Sequence, residues 1–180
     1  SVLRENVRQA VELILEEVST ANRVQPDLFT PLVRPPSPGP VEGLGVRALT
    51  DSEAHEALLQ ATVRVVMRLV VCLFAESRQL LPVNDPIYAA SYGVRSLYEQ
   101  LDEAVRLEGG TYVLFNRQTA WPRLMALCRL IHGGSAHGAF PLRAYGGKLF
   151  HPGERESADP VARALHVLEH NVPIGDATIY

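Results

Sequence analysis

The sequence predicts an all-α fold, an irregular bundle of about five helices interrupted by a Pro-rich loop and a Gly-rich turn segment. Three observations lead to it. Apolar residues recur at three- and four-residue steps over most of the chain. Proline clusters and glycine pairs punctuate those stretches. The one short β-favouring run, residues 111–115, is as compatible with an extended linker as with a strand. With 180 residues and 47% hydrophobic content, residues 1–180 are expected to form a single helical domain with a genuine core.

Leu3, Val7, Ala10, Val11, Ile14, Leu15 and Val18 keep the helical period, with Glu5, Arg8, Glu12 and Glu16 between them, so a first helix is expected to end near Ala21. Six prolines between Gln25 and Pro40 each fix φ and remove a backbone donor, and residues 22–50 read as a flexible connection. Thr50 and Glu53 fit a capping box opening a long helix that continues to Pro82. Its apolar stretch, residues 65–74, is expected to be buried on most sides and to form the centre of the fold.

Residues 82–92 read as an ordered loop, with turn chemistry in Asn84-Asp85-Pro86 and anchors in Ile87, Tyr88 and Tyr92. A helix over residues 94–107 is stopped by Gly109-Gly110. The next helix, capped by Thr119 or Asn116, carries the stripe Trp121, Leu124, Met125, Leu127, Cys128 and Ile131 and ends at Gly133-Gly134. A glycine-rich stretch, residues 133–153, follows. Asp159 as N-cap and Pro160 at the first helical position open a helix that runs to His170. Gly175-Asp176 looks like a further helix start close to Tyr180, which reads as a piece excised from a longer chain.

A net charge of -3 and a pI near 6.1 give no overall basic excess of the kind that marks an autonomous nucleic-acid binder. Sixteen arginines against the lone Lys148 read as compositional bias. Cys72 and Cys128 lie in apolar helical runs, where free thiols pack as small hydrophobes, and this favours a reducing cytoplasm. The apolar run is shorter than the roughly 20 residues a bilayer requires, and no leader opens the chain, so neither membrane insertion nor secretion is expected.

His166-Val167-Leu168-Glu169-His170 has the His-x-x-Glu-His spacing that places two imidazoles on one helical face beside a general base, the arrangement of a zinc hydrolase. The competing reading is a surface helix, because a third protein ligand has only ten residues after His170 in which to occur. His132, His137 and His151 have irregular spacing and read as loop histidines. Cys128 and His132, four apart, could pair for nucleophilic chemistry, but Cys128 lies on the buried stripe. Gly146-Gly147-Lys148 fails as a phosphate loop, since Leu142 and Leu149 stand where it needs a glycine and a hydroxyl.

Two phrases carry a resemblance: Leu73-Phe74-Ala75-Glu76-Ser77-Arg78-Gln79-Leu80-Leu81-Pro82, and residues 121–132 running through Gly133-Gly134 into Ala144-Tyr145-Gly146-Gly147-Lys148-Leu149-Phe150. Over about residues 61–180 the chain resembles the helical region that precedes the methylase domain in large bacterial DNA adenine methyltransferases of type IIG-like, DISARM or BREX restriction and phage-defence systems. Trp121, Gly133, Gly134, Tyr145, Gly146, Gly147 and Phe150 are the structural motif of that resemblance. It implies a parent enzyme that uses S-adenosylmethionine. This region would hold neighbouring domains of the same parent chain in register and have double-stranded DNA as a possible partner.

The chain has no glycine-rich cofactor loop, its Pro35-Pro36 is followed by Ser37 rather than Tyr, and Lys148 has no glutamate two residues before it. This region is therefore expected neither to methylate nor to cut DNA, and to hold no cofactor of its own. Arg143 and Lys148, flanking Tyr145, are the candidates for phosphate contact. Two other readings stand beside this one. The first is a stand-alone helical protein-interaction module. The second is a small zinc metallohydrolase built on His166, Glu169 and His170.

Overall fold

The computed structural model describes residues 2–33 and 49–180. It is mostly helical with one two-stranded antiparallel ribbon, so the expected all-α class becomes mainly α. The chain divides into two units, one of Ser1–Val66 with Pro152–Pro173 and one of Met67–His151 with Ile174–Tyr180.

In the first unit, α1 (Val2–Val24) buries Val11, Ile14 and Val18 and runs past Ala21, since nothing in the sequence breaks it before Pro26. The proline-rich stretch is not uniformly extended. Pro26–Phe29 forms a 3-10 turn and Thr30–Val33 a short helix, α2. Pro26 and Pro31 both occupy first-turn positions, where a missing amide proton costs nothing. The rest of the expected flexible connection, residues 34–48, lies outside the described residues.

The long helix α3 (Asp51–Ser77) starts where the capping box places it: the Thr50 amide donates to Glu53 Oε2 at 2.9 Å and the Glu53 amide to Thr50 Oγ1 at 3.3 Å. Helix α7 (Pro160–His170) has the expected cap, with the Val161 amide donating to Asp159 Oδ1 at 2.9 Å. Its flank lies so close to Gly153 that a Cβ there would meet the His166 amide nitrogen at 2.0 Å.

The remainder of α3 belongs to the second unit and differs from expectation twice. The helix ends at Ser77, five residues before Pro82, in a reversal where Gln79 takes φ 56° and the Leu80 amide reaches Ala75 O at 2.8 Å. Residues 65–74 are not buried on most sides either. Val65, Val66, Arg68 and Cys72 are buried, while Met67, Val71, Leu73 and Phe74 are exposed. By length and composition α3 is apolar enough to cross a bilayer. Its buried face nevertheless packs against protein.

The expected loop before α5 contains helix α4 (Pro86–Ser91), because Asp85-Pro86 is an N-cap followed by a first-position proline: Asp85 Oδ1 accepts from the Ile87 and Tyr88 amides at 2.8 and 3.1 Å. Helix α5 (Val94–Glu108) stops at Gly109, φ 83°. Thr111–Leu114 is a 3-10 turn rather than a strand or extended linker, with Leu114 driven into the core. Helix α6 (Ala120–Gly133) buries the whole predicted stripe. Strands β1 (Ser135–His137) and β2 (Phe140–Leu142), unforeseen in the glycine-rich segment, pair with Ser135 opposite Leu142 and His137 opposite Phe140. Helix α8 (Asp176–Ile179) closes the unit.

The two glycines that end α6 have different work. Gly134 takes φ 71°, and a Cβ on it would meet Leu142 O and Ala144 N at 2.6 Å each, whereas a Cβ on helical Gly133 meets nothing within 4 Å. Gly134→Ala is expected to destabilise by about 2–4 kcal/mol, through strain at a positive φ and displaced backbone. Gly133→Ala is expected to be neutral or to stabilise by up to about 1 kcal/mol, as a glycine replaced within a helix. Urea titration followed by the fluorescence of Trp121, the single tryptophan, separates the two. Equal effects would refute the distinction.

Candidate nucleic-acid interface

The two resembling phrases meet in the second unit, and the contacts explain both. The carbonyls at the end of α6 have no partner within the helix. The segment after β2 supplies partners: the Tyr145 amide donates to Ile131 O at 2.9 Å and the Gly146 amide to His132 O at 3.2 Å. Gly146 and Gly147, at φ 63° and 83°, then reverse the chain. Residues 143–151 thus form a strap over the end of α6.

The strap's other end is held by Arg68, which is 0% exposed. Its Nε donates to Leu149 O at 2.7 Å and its Nη2 to His151 O at 2.6 Å. Its planar fork takes two strap carbonyls two residues apart, a geometry that suits guanidinium. Phe150, between them, is buried. Tyr145 is not seated in the core: it is 56% exposed and anchored only at its tip, where the hydroxyl donates to Leu80 O at 3.0 Å. Trp121 is buried on α6.

Arg143 and Lys148, the candidates for phosphate contact, are exposed on this strap on either side of Tyr145. Arg78, at the end of α3, lies over the Phe74 ring at 5.4 Å. The whole-chain charge hid a signal. Residues 109–153 contain no Asp or Glu but five cations, Arg117, Arg123, Arg129, Arg143 and Lys148. Among them, Arg117 pairs with Asp176 at 3.8 Å, and Arg123 donates to Gly93 O and Ser96 Oγ at 3.1 and 2.9 Å. Reading charge by segment rather than by total would have found the strap.

Two buried carboxylates orient the surrounding helices. Neither Gly93 nor Thr119 caps its own helix with a side chain, and each is served from a distance. Glu76, from the first resembling phrase, accepts from Tyr88 Oη at 2.8 Å and from the Val94 and Arg95 amides at 2.7 and 3.0 Å, capping α5. Burial and the adjacent Glu76 charge push the Tyr88 phenol well above its ordinary pKa. Asp176 accepts from the Thr119 and Ala120 amides and from Thr119 Oγ1, each at 2.7 Å, capping α6. Thr119, expected to cap α6, is instead capped itself. A cleft of about 290 Å³ beside Glu76 is lined also by Gln79, Tyr88, Arg95 and Glu99, but the Glu76 oxygens in it already serve these three donors.

The other sequence candidates scatter. His166 and His170 stack at 4.3 Å, while Glu169 turns inward and accepts from the Gly153 amide at 3.2 Å. Burial, with help from neighbouring His170, holds the His166 pKa below the usual imidazole value. His132 and His151 meet edge to face at 5.1 Å, whereas His137 accepts from the Ala139 amide across the β1–β2 turn. Among the described residues no group of three or more His, Cys, Asp or Glu is arranged to hold a metal ion. Cys128 partners Cys72 rather than His132: their hydrogen bond, with burial, drives the Cys72 thiol pKa far up, away from nucleophilic use.

Compared with protein-family models, curated proteins and solved structures, the chain matches none.

Proposed function

We propose that this chain is a non-catalytic helical scaffold region of a larger DNA adenine methyltransferase of a restriction-modification or phage-defence system. In this reading the parent enzyme uses S-adenosylmethionine and the chain binds none. Its work is to hold neighbouring domains of the same parent chain in register and to touch the DNA backbone through Arg143 and Lys148. The finer architecture, an irregular bundle of about five helices with a Gly-rich turn, belongs to the same proposal. So does a cytoplasmic setting, which suits the free thiols of Cys72 and Cys128.

One observation supports the DNA part most: two exposed cations on a strap fixed at both ends, within an acid-free stretch of sequence. Phosphate contacts release counterions, so binding of a labelled duplex should weaken steeply with salt. Replacing Arg143 and Lys148 together by glutamine should cut duplex affinity about tenfold or more and lower the salt slope by about 2. An anisotropy titration at several salt concentrations checks this. Absence of duplex binding at low salt would leave a spacer or docking role.

A second reading, a stand-alone helical interaction module, is favoured by the exposed stripe Met67, Val71 and Phe74 on α3. Met67→Glu should leave duplex binding unchanged if the first reading holds.

A further inference from the structure

Helix α3 is unbroken from Asp51 to Ser77, so the residues along one of its faces are aligned by the helical repeat alone. At about 100° per residue, Glu56, Gln60 and Val63 on one side of Met67, and Val71, Phe74 and Arg78 on the other, lie within about 40° of its direction. All of them are exposed, the apolar ones by 36–56%. The core residues Ala61, Val65 and Cys72 lie on the opposite side of the helix. Arg78 stands just past Ser77, but its amide still donates to Phe74 O at 3.0 Å, which continues the stripe.

This stripe reads alike in both directions. Counted outward from Met67, the steps are four, three and four residues either way, and one end carries the acid Glu56, the other the base Arg78. Turned end for end about a two-fold axis at Met67, a second copy sets Val63 against Val71, Gln60 against Phe74 and Glu56 against Arg78, each pair occurring twice. Parallel pairing would oppose like charges at both ends. Among the described residues no ion pair involves Glu56 or Arg78. Glu56 accepts from Gln60 Nε2 at 2.7 Å and Arg78 lies over the Phe74 ring, both contacts within the stripe. We infer that this face binds a second copy of the chain, as an antiparallel pair of α3 helices with an apolar seam over Met67 and a Glu56–Arg78 ion pair at each end. The inference is independent of the proposed DNA contact.

Sedimentation of the whole chain over a concentration series tests it, and a monomer–dimer equilibrium is expected. One helix stripe is small for a protein interface, so the dissociation constant should fall at about 1–100 μM. Met67→Glu sets two carboxylates against each other on the axis and should leave only monomer where the unaltered chain is dimeric. Glu56→Arg and Arg78→Glu each oppose like charges at both ends and should weaken the dimer about tenfold. Made together, the two changes restore both ion pairs and should bring the dissociation constant back to within about threefold of the original. A variant that is merely destabilised shows no such recovery. Met67→Cys should cross-link two copies on mild oxidation. Val71→Cys should not, since its two copies lie about 12 Å apart along the helices.

A chain that stays monomeric up to about 1 mM, or a dimer indifferent to Met67→Glu and to both charge reversals, would overturn the inference. Cross-linking by Val71→Cys alone would show a parallel pair and overturn it too. Lipid vesicles that bind the monomeric chain, and lose it on Met67→Glu, would assign the face to a bilayer instead, which α3 is apolar enough to enter.

Discussion

Arg68→Ala is expected to destabilise the second unit by about 3–5 kcal/mol, a loss in the range of removing two hydrogen bonds from a charged donor and opening a large void. The guanidinium is 0% exposed and its acceptors are main-chain carbonyls of Leu149 and His151, which no substitution can remove. Truncating Arg68 therefore leaves two part-buried acceptors without this donor. At about 2–4 °C per kcal/mol for a chain of this size, the melting temperature should fall by roughly 10 °C. Arg68→Lys should recover only part of the loss, because one ammonium lacks the planar fork that spans both carbonyls. Amide exchange should rise first in residues 143–151, the strap that Arg68 holds. A change below about 1 kcal/mol in Trp121-monitored urea unfolding would show that the strap is held by other means.

Glu76→Ala should cost about 3 kcal/mol, since three donors lose a charged acceptor and the α5 N-terminus loses its cap. Glu76→Gln keeps an acceptor oxygen but no charge at the positive end of the helix, and its cost is expected to be about half as large. Tyr88→Phe removes one of the three bonds and should cost about 1 kcal/mol. Combined with Glu76→Ala, Tyr88→Phe should add almost nothing, because its partner is already gone. Full additivity in that double-mutant cycle would mean that Tyr88 and Glu76 act independently.

The proposed interface was legible in part. Arg143, Lys148 and Tyr145 stand out by composition, and Gly146-Gly147 by turn chemistry. Arg68 did not stand out as a part of it, since it lies in an apolar run that looks like continuous core. Apolar run length reports total hydrophobicity, whereas the side of a helix that is covered depends on what packs there. Asp85-Pro86 was read as a turn although the same dipeptide pattern, Asp159-Pro160, was read as a helix start. The structure shows that both are caps, and in the first case the loop reading concealed a helix of six residues.

What the sequence by itself determined is local. The Thr50–Glu53 box, the Asp159 cap, the buried stripe of α6 and the glycine stops at Gly109 and Gly134 depend on partners within a few residues, and spacing encodes them directly. Only the tertiary structure decided the destinations of Arg68, Glu76 and Asp176. Their partners lie up to 83 residues away, and a charged side chain in a helix looks solvated until the fold surrounds it with donors or acceptors. The ribbon of β1 and β2 was decided the same way, since three-residue strands have too short a period to read and form only once both ends of the segment are fixed.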